Sequence, residues 1–126
     1  MFSWKRPDYL GVKHGRLAPC KRTPNCVSSQ ADPSDDEHYI APLEPKDMNV
    51  LRKTVESMRG ASVISSGANY LYAEFRTPIL RFVDDVEFFY DGKVIHVRSA
   101  SRLGRRDFGV NRKRIEELRS LIRARR

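Results

Sequence analysis

The chain lacks any apolar run long enough to cross a membrane as a helix, and no membrane partner is expected. It has no glycine-rich phosphate loop, no complete catalytic motif and no internal repeat. Cysteine and histidine are scarce, at two and three residues. His14, His38 and His96 show no metal-ligand spacing, and two thiols without nearby histidines are too few for a structural zinc site. No metal and no cofactor is therefore expected. The first residues, Met-Phe-Ser-Trp-Lys-Arg-Pro-Asp-Tyr, have no apolar signal core. The expectation is a cytoplasmic protein, where thiols usually stay reduced. Cys20 and Cys26 then read as reduced thiols packing a loop; a disulfide, or a reactive thiol beside Lys21 and Arg22, are the alternatives.

Acidic residues are outnumbered, 16 against 24 Lys and Arg, for a net charge of +8. The imbalance is uneven. Residues 98–126 hold 11 basic and 3 acidic side chains, residues 1–22 hold 6 and 1, and residues 23–97 hold 7 and 12. An acidic middle lies between two basic ends, which either fold back onto it or meet an anionic partner. At 126 residues the chain has the size of one domain (1–126), with an extended arm over 1–37 and a core over 38–126.

The pattern predicts an α+β fold: an antiparallel sheet of four or five strands, two helices packed on one face, and a proline-rich N-terminal arm wrapping the domain. Residues 46–59 read as a helix, with Met48, Leu51, Val55 and Met58 on one stripe, Pro45 in the first turn and Gly60 as the stop. Residues 111–123 read as a second helix, with Ile115, Leu118 and Ile122 on its stripe and Asn111 as N-cap. Strands are expected over 38–41, 61–65, 70–76, 79–90 and 93–101.

Asp91-Gly92 suits a two-residue hairpin turn, which pairs Tyr90 with Lys93. In that register Phe88 opposes Ile95 and Val86 opposes Val97 on a core face, with Asp84 and Ser99 as its polar exceptions. The other face sets Glu87 opposite His96 and Asp85 opposite Arg98, and adds Tyr70, Tyr72, Glu74 and Arg81. That face is expected to be polar, tyrosine-lined and charged.

Chemistry concentrates in the segment from Arg98 to Arg112. Arg98, Ser99, Ser101, Arg102, Asn111 and Arg112 form a candidate anion site, joined by Arg105, Arg106 and the start of the second helix. The same residues equally suit a salt-bridge network with Asp84, Asp85, Glu87 and Asp107. The acidic cluster alone offers oxygen ligands for a hard cation, but adjacent strand residues point to opposite faces, so Asp84 and Asp85 do not converge. Asp107-Phe-Gly matches a kinase triplet with none of its companions and is set aside.

Four strings, Leu17–Ser29, Arg81–Phe88, Arg98–Gly104 and Asp107–Arg112, together resemble the domain of unknown function 1499 family. The resemblance covers nearly the whole chain and supports one domain. Some members look exported or lipid-anchored, which strengthens the disulfide option for the family. It implies no activity.

Three functions follow as expectations. The first is a small binding protein for an anionic small molecule, with Tyr70 or Tyr72 lining the approach. The second is a hydrolase using Asp85 or Glu87 with His96 in a shared cleft. The third is a nucleic-acid module using the basic termini. Oligomeric state is not encoded in any pattern here.

Overall fold

A computed structural model describes residues 5–104 and 106–125. Met1–Trp4, Arg105 and Arg126 lie outside the described residues, and with them the signal-core reading and one arginine of the basic segment. The elements are β1 (Cys26–Ser28), α1 (Met48–Glu56), β2 (Ala61–Ser66), β3 (Tyr70–Arg76), β4 (Val83–Tyr90), β5 (Ile95–Ser101) and α2 (Val110–Ala124). They form one five-stranded sheet in the order β1-β5-β4-β3-β2, antiparallel throughout. The fold is α+β.

Both helices form where the apolar spacing falls. Leu51 and Val55 of α1, and Ile115, Leu118 and Ile122 of α2, are buried on one side of the sheet against Leu71, Val86, Phe88, Ile95 and Val97. Each such side chain taken from water contributes about 1.5–3 kcal/mol. The caps differ from expectation. Asp47, not Pro45, starts α1, its carboxylate accepting from the Asn49 amide at 2.7 Å. Gly109, at φ 79°, precedes α2, so Asn111 lies inside the first turn rather than capping it. α1 ends at Glu56 with Ser57 as its C-cap, short of the expected stop; Gly60 lies at φ 82° in the turn before β2, where a Cβ would clash with the Arg76 carbonyl oxygen.

The strands depart from the pattern in three places. Residues 38–41 make only an isolated bridge, Tyr39 to Ser28, because the His38 ring is held by the Asp35 carboxylate and the Thr23 carbonyl. The three-residue strand β1, unsignalled by alternation, pairs with β5 at the sheet edge instead. Residues 77–82 are a loop, since Pro78 donates no hydrogen bond and Ile79 and Arg81 take φ of 68° and 56°, conformations no strand contains.

The β4–β5 hairpin corrects the register by two residues. Asp91 does not adopt positive φ; its Oδ1 accepts from the amides of Lys93 and Val94, so the loop takes four residues and Tyr90 pairs with Ile95. A shift of two preserves the faces but changes every partner. Glu87 opposes Arg98, Asp85 opposes Ala100, and Phe89 opposes His96.

The face away from the helices is not solvated. Residues 6–19 of the arm lie across it: Arg6 reaches Glu74, Tyr9 stacks on Arg98, and the Gly11 amide donates to Glu87 at 2.7 Å. Tyr72, Glu74, Asp85, Glu87 and Arg98 are all buried.

Candidate functional site

The residues singled out between Arg98 and Arg112 divide among three places, set by strand parity and by the helix.

Arg98 and Arg102 go to the face under the arm. Arg102 donates to Asp85 Oδ1 at 2.6 Å and to Glu74 Oε2 at 3.0 Å, so Arg102 and not Arg98 neutralises Asp85. Tyr72 completes this group, its hydroxyl 2.6 Å from Asp85 Oδ1 and 3.0 Å from Glu74. Burial acts to raise the Glu74 carboxyl, but hydrogen bonds from Arg6, Arg102 and Tyr72 outweigh it and hold it at about 2. Burial, with the neighbouring Asp85 carboxylate, pushes the Tyr72 hydroxyl up; burial and Glu87 do the same to Tyr70, which donates to Glu87 at 2.5 Å. Arg98 has the Pro19 carbonyl at 3.4 Å and the Tyr9 ring at 4.7 Å. Arg98 Nε and Nη1, and Glu87 Oε1, are buried without a hydrogen-bond partner among the described residues.

Ser99, Ser101 and Asn111 go to the helix side with Asp84 and Asp107. Ser99 donates to Asn111 Oδ1 at 2.6 Å, and the Asn111 amide reaches Asp107 at 2.7 Å and Ser101 at 3.0 Å. Arg114 ties the group together, donating to Asp84 at 2.7 Å and to Asn111 at 2.8 Å while covering the Phe75 ring. Burial raises the Asp84 carboxyl, and Arg114 offsets only part of that. Asp107 accepts from the amides of Gly109 and Asn111. The start of α2, expected to offer amides to a ligand, is thus already met by a carboxylate of the chain.

Arg112 stands apart at the surface, on the carbonyls of Asp36 and Glu37. The polar groups proposed for an anion are therefore not gathered; most are held by partners within the fold. Nor do Asp85, Glu87 and His96 converge. His96 bonds Asp91 and Ser29, each at 3.0 Å. Asp84 and Asp85 lie on opposite faces, and among the described residues no group of three His, Cys, Asp or Glu side chains is arranged to hold a metal ion.

The segment still forms one wall of a cleft. Residues 101–110 face the 77–83 loop across about 450 Å³. Leu80, Phe82, Val83, Leu103, Phe108 and Val110 supply apolar walls, Asp84 and Ser101 the polar floor, and Arg106 a place on the lining. Sequence reasoning missed Arg114, although its position three residues after Asn111 places both on one helix face. It also missed Asn25, which fixes this wall by donating to the Gly104 carbonyl at 2.7 Å. The exposed apolar side chains of the 77–82 loop had no signal because that stretch alternates like a strand.

Cys20 and Cys26 form a disulfide, against the expectation of reduced thiols. The bond joins the arm to β1, and Pro19 beside it carries the carbonyl that Arg98 reaches. No helix among the described residues is long and apolar enough to cross a membrane.

The model of a family described as protein of unknown function (DUF1499) matches residues 16–122, and the chain belongs to that family. No curated protein and no solved structure matches it.

Proposed function

Membership of that family brings no activity with it, so we propose from the geometry alone that the chain is a small binding protein. It takes an anionic, largely apolar molecule in the cleft between the 77–83 loop and residues 101–110. The observation that carries this reading is the lining. Apolar walls surround a volume suited to a short acyl or aryl group, and the Arg106 guanidinium on the lining makes no ion pair or hydrogen bond within the described residues. Apolar contact supplies affinity, and Arg106 selects a carboxylate or phosphate head over a neutral one. The deeper polar groups hold the wall in place rather than meeting the ligand.

A calorimetric titration with decanoate below its aggregation concentration, beside decanol, tests this. Decanoate is expected to bind more tightly than decanol. Arg106→Ala removes the preference for the acid, and Leu103→Trp, which fills the cleft, abolishes binding of both. No heat from decanoate, or equal binding by Leu103→Trp, contradicts the reading.

A further inference from the structure

Among the described residues, seven large apolar side chains are exposed; four of them stand on the two loops at this one end of the sheet and a fifth, Val110, opens α2 beside them. Ile79 is 95% exposed, Phe108 87% and Leu80 67%, with Phe82 and Val110 beside them. Isolated exposed apolar residues are ordinary; a group on neighbouring loop tips marks a contact surface.

The backbone holds these tips out at a cost. Among the described residues four non-glycine residues take positive φ, and three of them, Ile79 (68°), Arg81 (56°) and Phe108 (54°), are in the same two loops. A β-branched residue at positive φ is a genuine outlier, and such strain persists where surrounding structure imposes it for a purpose.

The charges around the tips are mostly basic. Arg59, Arg76, Arg81 and Lys113 line a trough that shares Thr77, Pro78 and Val110 with the cleft, and Arg106 lines the cleft. None of these five makes an ion pair or side-chain hydrogen bond within the described residues, whereas Arg102, Arg114 and Arg119 are all engaged by the fold. The carboxylates nearby are Asp84, held by Arg114, Asp107, held by α2 amides, and Glu117.

We propose that this end of the molecule docks on an anionic lipid bilayer, with Ile79, Leu80 and Phe108 entering the interface and the five cations meeting lipid headgroups. Apolar side chains at loop tips with unpaired cations around them suit an anionic bilayer surface. Ile79 and Leu80, two of the three inserting side chains, are aliphatic and offer nothing on which a nucleic-acid base stacks, which favours a bilayer over a polynucleotide. Apolar insertion combined with several basic side chains is the recognised chemistry of reversible attachment to anionic leaflets. The surface does not require the cleft to be occupied, and Ile79 and Arg81 lie outside the cleft lining.

The test is co-sedimentation of the full chain with phosphatidylcholine vesicles, with and without about one third phosphatidylglycerol, at low and high salt. Binding is expected to the anionic vesicles only, falling at least tenfold at high salt. Ile79→Ser with Arg81→Ala lowers it at least tenfold, Phe108→Ser alone severalfold, and Leu103→Trp leaves it in place. All four positions are at or near the surface, and circular dichroism checks that each variant is folded. Absence of binding to anionic vesicles, binding unchanged in the Ile79/Arg81 variant, or binding to single-stranded DNA in preference to vesicles would overturn the proposal. A failure of the cleft reading shows separately, in the decanoate titration.

Discussion

The arm-covered face of the sheet and the loop end of the same sheet invert the usual placement of residues. Under the arm, Glu74, Asp85, Glu87, Arg98 and Arg102 are buried; at the loop end, Ile79, Leu80 and Phe108 stand in water. The buried charges are matched by one another, by tyrosine hydroxyls and by the arm; among the described residues only two nitrogens of Arg98 and one oxygen of Glu87 are left over. The exposed side is unmatched in both its apolar surface and its cations. Charge density therefore does not locate the working surface of this protein. What locates it is what the fold leaves without a partner.

The strongest way to break this comparison is to remove a charge from the sealed face. Asp85→Ala leaves Arg102 buried with Glu74 as its remaining carboxylate, and should cost about 3–5 kcal/mol in urea denaturation. A loss under 1 kcal/mol would mean that the face is not a structural network.

Acid sharpens the same point. Glu74 sits at about 2 in the folded state against an ordinary value near 4.5. A carboxyl depressed on folding stabilises above its unfolded value and loses that contribution as pH falls toward its folded one. Stability should decline between about pH 4.5 and 2, and Glu74→Gln should flatten the decline in a denaturation series. Asp84, raised by burial, works in the opposite sense, because its protonation favours the folded state. An unchanged slope in Glu74→Gln would count against the assigned partners.

Opening the disulfide loosens the arm where it meets β1. Cys20→Ser with Cys26→Ser should cost about 2 kcal/mol for so short a loop, read as a lower urea midpoint. Decanoate and vesicle binding should persist, because no arm residue lines the cleft and Asn25 keeps its bond to the Gly104 carbonyl.

At the loop end the expected sign reverses. Ile79→Gly relieves the positive φ and removes an exposed side chain, so the fold should gain up to about 1 kcal/mol while vesicle binding weakens. A variant that loses both stability and binding would make Ile79 a packing residue.

Much of the fold was legible in local pattern. The helix stripes at Leu51 and Val55 and at Ile115, Leu118 and Ile122 face the core because periodicity reports burial directly. Strand parity placed Glu87 and Arg98 on one face and Val86 and Phe88 on the other. The partner of each residue was not legible, because the Asp91 carboxylate captured two amides and lengthened the hairpin loop, a choice made by one side chain. The cover over the polar face depends on where a non-periodic arm comes to rest, which no window of sequence encodes. β1 has three residues, too few to alternate. The candidate segment was found by composition, which left its arginines open between a ligand and a salt-bridge network; Asp85 and Glu74 hold Arg102, and Asp84 holds Arg114, which lies beyond the segment. Pairing across 17 to 30 positions is fixed by the assembled sheet and helix, not by the segment.

Hydrogen–deuterium exchange with and without phosphatidylglycerol-containing vesicles tests the central claim most directly. The account predicts new protection over residues 77–83 and 103–110, and unchanged exchange in β3, in β4 beyond Val83 and in the arm. Protection centred on the arm and the Glu87–Arg98 face, or none at any position, would contradict it.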